Sequence, residues 1–196
     1  MALTIPSTDP AVLLAQETSP EYTFRTFTAD TAWTLGTALR RRLLSLPADQ
    51  RKPALISIAL TGGAPLHVVF QSATESGTLP DNENWVRRKR NTVLRWGVSS
   101  WAMRMKTAAG VAGSPGSGSA ATAEEIEVAF VRKYALASSS GGAVADEYAI
   151  HGGGYPVRLR GVDGIVAVVV VSGLKQEHDH AVVTETIKEV VSAQGE

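Results

Sequence analysis

The chain contains no cysteine, few charged residues for its size, and no long apolar segment. The absence of cysteine excludes disulfide scaffolds, cysteine-ligated zinc, iron–sulfur clusters and thiol nucleophiles. Nineteen basic side chains balance nineteen acidic ones, so the formal net charge is zero at pH 7. Nucleic-acid affinity depends largely on basic side chains that neutralise phosphates, and this balance argues against nucleic acid as a partner.

The sequence also lacks recognisable targeting or membrane segments. Its most apolar run, Gly164–Leu174, is much shorter than the about 20 residues that a membrane helix requires. The first ten residues have neither the basic start nor the apolar centre of a secretory signal. We therefore expect a cytoplasmic protein with no membrane partner. Because proteins with zero net charge tend to associate, we also expect a homo-oligomer.

The hydrophobic pattern predicts an α+β fold. Two short connections, Thr61–Ala64 and Gly161–Gly164, predict β-hairpins and hence an antiparallel sheet. Helices and strands do not alternate strictly, which argues against a Rossmann-type sheet. The predicted strands lie at 22–27, 54–60, 65–71, 155–160 and 165–171, and the predicted helices at about 10–17, 28–46, 82–106, 124–134 and 179–191.

The length favours one domain, 1–196, with a short N-terminal extension over 1–20. Residues 107–123 are rich in serine and glycine and cannot bury enough apolar surface to offset the entropy of ordering. We predict a flexible insertion there, and a second loose segment at 137–142.

The predicted helix over 82–106 carries large apolar residues on two sides. Trp85 and Trp96 share one side, and Trp101 lies nearly opposite. This pattern predicts a helix that packs between its own sheet and another element or subunit. Its basic residues, Arg88 and Arg95 among them, either form structural pairs with carboxylates or bind an anionic ligand beside the aromatic rings.

A glycine-rich segment follows a histidine at His151-Gly152-Gly153-Gly154-Tyr155. Glycines permit close backbone approach, and their exposed N–H groups can form an anion-binding nest. His151 can act as a general acid or base near neutral pH. The alternative is a structural turn with a hydrogen-bonded histidine.

A second histidine group, His178-Asp179-His180, precedes the last predicted helix. His178 and His180 share a face only if the backbone is extended, so a metal site with both requires a strand conformation. The alternative is that Asp179 caps the helix and His180 is buried in the core. A site formed by His180, His151 and a carboxylate is a further metal hypothesis.

Several separated motifs together resemble one family. They are Gly77-Thr78-Leu79-Pro80-Asp81-Asn82, Trp85-Val86-Arg87-Arg88-Lys89, His151 to Val157, and Val171 to Glu177 with Asp179-His180. From about Tyr22 to Val191 the chain resembles the haem-degrading domain family (HbpS/GlcG-like), in the branch marked by GTxPDNxxWxxRK and HGGxxP. It departs from that pattern in the 107–123 insertion and in His178, where an acidic residue is usual.

The resemblance implies a profilin-like layered domain with a five-stranded antiparallel sheet and helices packed on it. It also implies homo-oligomers built from dimers, and haem as one candidate ligand. A shared fold does not by itself establish a shared ligand.

Three functions stay open. The first is a small-ligand-binding protein, in which the candidate binding residues are Asn82, Trp85, Arg88, Arg95, Gly152, Gly153 and Tyr155. The second is an enzyme without organic cofactor, with His151 or His180 as general base, Asp81 or Asp179 as orienting carboxylate, and Arg88 or Arg95 stabilising an anion. The third is a non-catalytic adaptor that presents a symmetric surface.

Overall fold

The computed structural model describes residues 3–113, 121–136 and 147–195. Helices α1 to α6 span Pro10–Thr18, Ala29–Leu44, Pro80–Trp96, Ser100–Ala112, Ala123–Lys133 and Gln176–Ala193, and a short 3-10 turn spans Pro20–Tyr22. Strands β1 to β5 span Thr23–Phe24, Leu55–Leu60, His67–Ala73, Gly154–Leu159 and Ala167–Ser172. The predicted α+β class is confirmed.

The five strands form one sheet in the order β1-β4-β5-β2-β3. The predicted hairpins β2–β3 and β4–β5 are present, and β2 pairs antiparallel with β5. The prediction of a purely antiparallel sheet is wrong, because β1 runs parallel to β4 with Thr23 opposite Arg158. Hairpin signals determine the pairing of strands that are neighbours in sequence, whereas β1 and β4 are far apart along the chain.

Helices cover both faces of the sheet. Ile56, Val169 and Val171 face α2 and α6 in the main core. Val168 and Val170 point the other way and pack against α3. Side chains alternate between the faces of a strand, so every residue of β5 is buried. This arrangement explains why the β5 sequence is continuously apolar.

The single helix predicted over 82–106 is two helices. α3 ends at Gly97, which has a positive φ of 66°, and α4 begins after Ser99, whose side chain accepts a hydrogen bond from the Ala102 N–H. Left-handed glycine is a common helix end, and serine is a common helix start. The turn between them changes the direction of the chain, so Trp96 and Trp101 lie in different hydrophobic clusters.

The two-sided apolar pattern is satisfied within this chain. Trp96 of α3 packs against Phe130 and Tyr134 of the α5 region, and Trp101 of α4 packs near Leu13 of α1. The covering element is therefore another part of the same chain, and the pattern by itself requires no second subunit.

Helix α4 extends to Ala112, so residues 107–112 of the predicted flexible insertion over 107–123 are helical. Residues 114–120 lie outside the described residues, and so does the loose segment predicted at 137–142. The predicted N-terminal extension contains helix α1. Among the described residues, no helix combines the length and apolarity needed to cross a membrane.

Candidate functional site

A cleft of about 390 Å³ opens at the edge of the sheet where β5 ends and β4 begins. These strands are antiparallel, so both ends meet there, and the N-termini of α3 and α6 complete the walls. The lining residues are Leu79, Asp81, Asn82, Trp85, Lys89, His151, Ser172, Gly173, Leu174, Gln176 and Asp179. The cleft thus gathers residues from all four of the motifs identified in the sequence.

The floor of the cleft is a buried ion pair. Lys89 Nζ lies 2.9 Å from Asp179 Oδ2, and the two side chains are only 3% and 2% exposed. Lys89 Nζ also donates to the Val171 carbonyl at 3.0 Å. The Asp179 carboxylate accepts the backbone N–H groups of Leu174 at 3.0 Å and Gly173 at 3.4 Å. Burial raises the pKa of Asp179, while the Lys89 ammonium and these hydrogen bonds act in the opposite direction.

The glycines after His151 allow this floor to form. A Cβ added at Gly152 would lie 2.2 Å from the Gln176 carbonyl oxygen, and one at Gly153 would lie 2.3 Å from the Val171 carbonyl oxygen. Gly153 also has a positive φ of 114°. Both glycines are buried. Their role in the structure is close packing against the α6 N-terminus, and they do not expose the anion-binding nest that the sequence suggested.

Trp85 forms one wall of the cleft. Its indole Nε1 donates to Asp81 Oδ2 at 3.0 Å, and its ring lies 4.8 Å from the His151 ring in an edge-to-face arrangement. The Arg88 guanidinium carbon lies 4.8 Å from the centre of the Trp85 ring. Among the described residues no carboxylate lies within ion-pair distance of Arg88, and its buried Nε has no hydrogen-bond partner. Arg88 is therefore a cation without a carboxylate partner in the described chain; it stacks on the Trp85 wall but is not itself a lining residue of the cleft.

His151 stands between the cleft and α5. Its Nε2 lies 3.4 Å from Glu127 Oε1, and the same oxygen lies 3.8 Å from Nη1 of the buried Arg104. Burial, followed by the positive charges of Arg104, Lys89 and Arg88, lowers the pKa of His151 to about 4. The imidazole is therefore neutral at pH 7. Its Nδ1 is buried and has no partner within the described part of the chain.

Asn82 connects the α3 N-terminus to the end of β5. Its side-chain oxygen accepts the Leu79 N–H at 2.8 Å, and its side-chain nitrogen donates to the Ser172 carbonyl at 3.3 Å. The predicted ligand-binding role thus falls on a residue whose amide already has partners on both sides. Gln176, on the opposite wall, has a buried Oε1 that lacks a partner among the described residues.

Three residues expected near the site face elsewhere. His180 is completely buried, with its ring 6.1 Å from that of Trp101 and 5.9 Å from that of Tyr155. Burial lowers the pKa of His180 to about 3. Neither His180 nor the buried Tyr155 lines the cleft. Arg95 is exposed and stacks on Trp96, two helical turns from Arg88.

The predicted start of the last helix is also corrected. α6 begins at Gln176, with Lys175 as N-cap, so Asp179 is inside the helix and does not cap it. His178 and His180 are both helical and diverge by about 200° around the helix axis, which does not meet the condition for a shared metal site. Within residues 3–113, 121–136 and 147–195, no group of three histidine or acidic side chains could hold a metal ion.

Sequence reasoning did not select Lys89 as a site residue. A signal was present, because Lys89 lies between Val86 and Val93 at helical spacing and therefore on the buried face of α3. A lysine on an apolar stripe predicts a buried partner. Glu127 and Arg104 were also missed, and only the tertiary fold brings them to His151.

The cleft residues do not fit haem. A porphyrin needs a broad apolar slot, whereas seven of the eleven lining residues here have polar or charged side chains, two carboxylates and an ammonium among them. An iron ligand also needs a free imidazole nitrogen facing the slot, but Nε2 of His151 faces Glu127 and its Nδ1 is buried. His180 has no path to the cleft, so no histidine of the described chain is placed to hold the iron there.

Comparison with known proteins is consistent over nearly the whole chain. A UPF0303 protein of Sinorhizobium medicae is 34% identical over 170 residues, covering 87% of this chain and 84% of that protein. A UPF0303 protein of Streptomyces coelicolor is 33% identical over 184 residues, covering 94% of this chain and 96% of that protein.

Solved structures share the fold. The crystal structure of the Ybr137w protein matches with a TM-score of 0.73 and 27% identity, covering 97% of this chain and 92% of that one. HbpS matches with a TM-score of 0.53 and 13% identity, covering 84% and 89%, which shows the fold alone. The family described as "Haem degrading protein HbpS-like" matches residues 27–188. The chain therefore belongs to the HbpS-like family.

Proposed function

We propose that this chain binds a small anionic molecule, a carboxylate or phosphate in class, in the cleft beside Trp85. The observation that carries the proposal is Arg88, a guanidinium held over the Trp85 ring without a carboxylate partner in the described chain. Lys89, the next cation, is already neutralised by Asp179. An anionic ligand would supply the negative counter-charge that the described chain does not place beside Arg88.

The other walls suit a small organic anion. The Trp85, Leu79 and Leu174 side chains offer apolar surface to its carbon atoms. The N-termini of α3 and α6 both border the cleft, and helix N-termini favour negative charge. The Gln176 amide can give or accept a hydrogen bond, and His151, which is neutral at pH 7, adds no charge to the cleft. Small-ligand pockets commonly combine an apolar lining with a few such polar groups.

The test is binding of matched probes measured by calorimetry. Benzoate and phenyl phosphate should bind, and benzamide, which has the shape of benzoate without its charge, should bind at least tenfold more weakly. Arg88→Gln should weaken benzoate binding about ten- to a hundredfold, because hydrogen bonds to charged groups contribute about 1.5–3 kcal/mol.

Arg95→Gln is the matched control. Arg95 belongs to the same helix and stacks on Trp96, which is not a wall of the cleft, whereas Arg88 stacks on the Trp85 wall. It should leave benzoate affinity within about twofold of the wild type. Equal binding of benzoate and benzamide, or equal losses in the two arginine variants, would refute the proposal. A stoichiometric Soret shift on addition of haem, abolished by His151→Ala, would replace it with haem binding.

Catalysis is the second candidate, and the neutral His151 favours it. Because Nε2 faces the Glu127 carboxylate, the free lone pair of the neutral imidazole lies on the buried Nδ1, and proton abstraction requires the ring to turn this nitrogen towards the substrate. The predicted alternatives for the base and its partner are less suited, because His180 is sealed in the core and Asp81 contacts Trp85. Turnover of a metabolite panel should be lost in His151→Ala and kept in His67→Ala, which changes an exposed histidine on β3.

Assembly into homo-oligomers is also part of the proposal, and a cytoplasmic location stays a prediction. β3 is an edge strand, and within the described chain no strand pairs with its outer side. Trp33 is 64% exposed and lies 5.8 Å from the Phe70 ring of that strand. Exposed edges and aromatic rings are common at interfaces. Light scattering at micromolar concentration should give a mass above that of the monomer, and a strictly monomeric protein would exclude it.

A further inference from the structure

Helix α1 is attached to α4 by one polar contact that is buried. Glu17, in the last turn of α1, is 2% exposed. Its two carboxylate oxygens both accept the backbone N–H of Ser99, each at 3.1 Å, where α4 begins. The backbone N–H groups of a helix start are otherwise unsatisfied. Glu17 thus completes the N-terminus of a helix that is far away in sequence.

The remaining attachment consists of one small apolar cluster and one part-buried hydrogen bond. Leu13 packs against Trp101, Ala102 and Met105 of α4. Trp101 Nε1 donates to the Ser7 carbonyl at 2.9 Å. Residues 7–18 therefore lie across α4 as a strap that is fixed mainly by Leu13 and Glu17.

The strap covers a buried polar cluster. Trp101 lies directly beneath it, and the His180 and Tyr155 rings follow in the next layer. The Tyr155 hydroxyl and His180 Nδ1 are buried and have no hydrogen-bond partner among the described residues. Release of the strap would give water access to Trp101 and then to these groups.

The charges around Glu17 only partly offset its burial. Arg158 of β4 favours the ionised carboxyl, but it donates to the carbonyls of Gly97 and Gly164. Tyr155 and Tyr22 are the other ionisable groups on this side, and burial, followed by the charge of Glu17, raises the pKa of Tyr155. The neighbouring charges on the packed elements are paired elsewhere, Glu21 with Lys188 and Arg104 with Glu127.

The pKa of the Glu17 carboxyl lies near neutral pH. Burial raises the pKa of Glu17 from 4.5 to about 7, against the opposing effects of the Ser99 hydrogen bonds and Arg158. Once α1 leaves α4, the carboxyl returns to water and its pKa returns to about 4.5. Protons therefore bind more strongly to the docked form.

We propose that residues 7–18 form a pH-dependent latch on α4, which tightens when Glu17 takes up a proton and loosens when its carboxyl ionises. The stabilisation is complete below the undocked pKa of about 4.5 and is lost as the pH rises through the docked pKa of about 7. Between pH 5.5 and 8.0 these two values correspond to a roughly thirtyfold loss in the equilibrium constant for docking.

Hydrogen exchange of the α1 amides tests the latch on the full chain. After correction for intrinsic exchange rates, protection of residues 10–18 should fall roughly thirtyfold from pH 5.5 to pH 8.0. Glu17→Gln, which mimics the protonated carboxyl, should remove most of this fall. Glu21→Gln is the control, since Glu21 is surface-exposed and pairs with Lys188, and it should keep the fall.

Direct titration covers the case in which the glutamine variant packs poorly. The ¹³C resonance of the Glu17 carboxyl should titrate near pH 7 and in step with α1 protection. A midpoint near 4.5, α1 protection that does not change with pH, or an unchanged fall in Glu17→Gln would overturn the proposal.

Discussion

Loss of either partner of the Lys89–Asp179 pair should destabilise the protein strongly. Lys89→Met leaves the Asp179 carboxylate with two backbone N–H donors but without a counter-ion. Asp179→Asn leaves the Lys89 ammonium with one carbonyl acceptor. Because both side chains are almost fully buried, each change should lower the free energy of unfolding by about 3–5 kcal/mol. Urea unfolding followed by circular dichroism measures this change in the free energy of unfolding.

The two variants should respond to pH in opposite directions. In Lys89→Met, the buried carboxylate can relieve its charge by taking up a proton, so the destabilisation should shrink as the pH falls. In Asp179→Asn, the buried ammonium can relieve its charge by losing a proton, so the destabilisation should shrink as the pH rises. A packing defect alone would not make the two variants respond to pH in opposite directions.

A surface pair and a double variant provide the controls. Lys188 Nζ lies 2.7 Å from Glu21 Oε2 with both side chains at least half exposed, and Lys188→Met should cost less than about 1 kcal/mol. The double variant Lys89→Met with Asp179→Leu removes both charges and should cost clearly less than the sum of the single changes. The reasoning would be refuted if the losses of unfolding free energy in the two single variants added up in the double variant. It would also be refuted if each single loss were no larger than that of Lys188→Met.

Two further predictions concern the buried surroundings of the site. Gly152→Ala should destabilise the protein by about 2–3 kcal/mol because the new methyl group would overlap the Gln176 carbonyl, whereas Gly62→Ala, with open space around it, should change stability by less than about 0.5 kcal/mol in the same urea experiment. Relative to the wild type, His180→Gln should remove about 2 kcal/mol of the stability lost between pH 6.5 and 5, because the unfolded chain binds a proton that the buried imidazole does not bind, while the contributions of His151 and Glu17 stay the same in both proteins. His67→Gln should keep the wild-type slope, and a slope unchanged in His180→Gln would contradict the assignment.

Local patterns in the sequence predict most of the fold but not its long-range pairing. The glycine-containing connection Thr61–Ala64 predicted the β2–β3 hairpin, and the structure confirms it. The parallel pairing of β1 with β4 has no local signal, because the two strands are far apart in sequence and meet only in the tertiary fold. The break between α3 and α4 did have one, since Gly97 and Ser99 are typical of a helix end and a helix start.

The sequence also predicts only part of the candidate site, because local patterns do not show which side chains meet in the fold. Trp85 and His151 were recognised from residue type, and the structure brings them to one cleft. Arg95 and His180 were selected on the same grounds and lie elsewhere, since residue type does not tell which face of an element meets the cleft. Glu127 reaches His151 only through the packing of α5, which no spacing along the chain indicates.

Glu17 and His180 oppose each other in the response of this protein to acid. Protonation of Glu17 is easier in the docked state than in water, so falling pH strengthens the contact between α1 and α4. Protonation of His180 is harder in the folded state, so falling pH weakens the fold as a whole. Between about pH 6.5 and 4.5 both effects operate, His151 adds to that of His180 because its pKa is also lowered, and a global unfolding curve reports only the net result. A flat global profile is therefore compatible with a strong latch, and exchange at the α1 amides separates the two effects because those amides open without unfolding of the sheet.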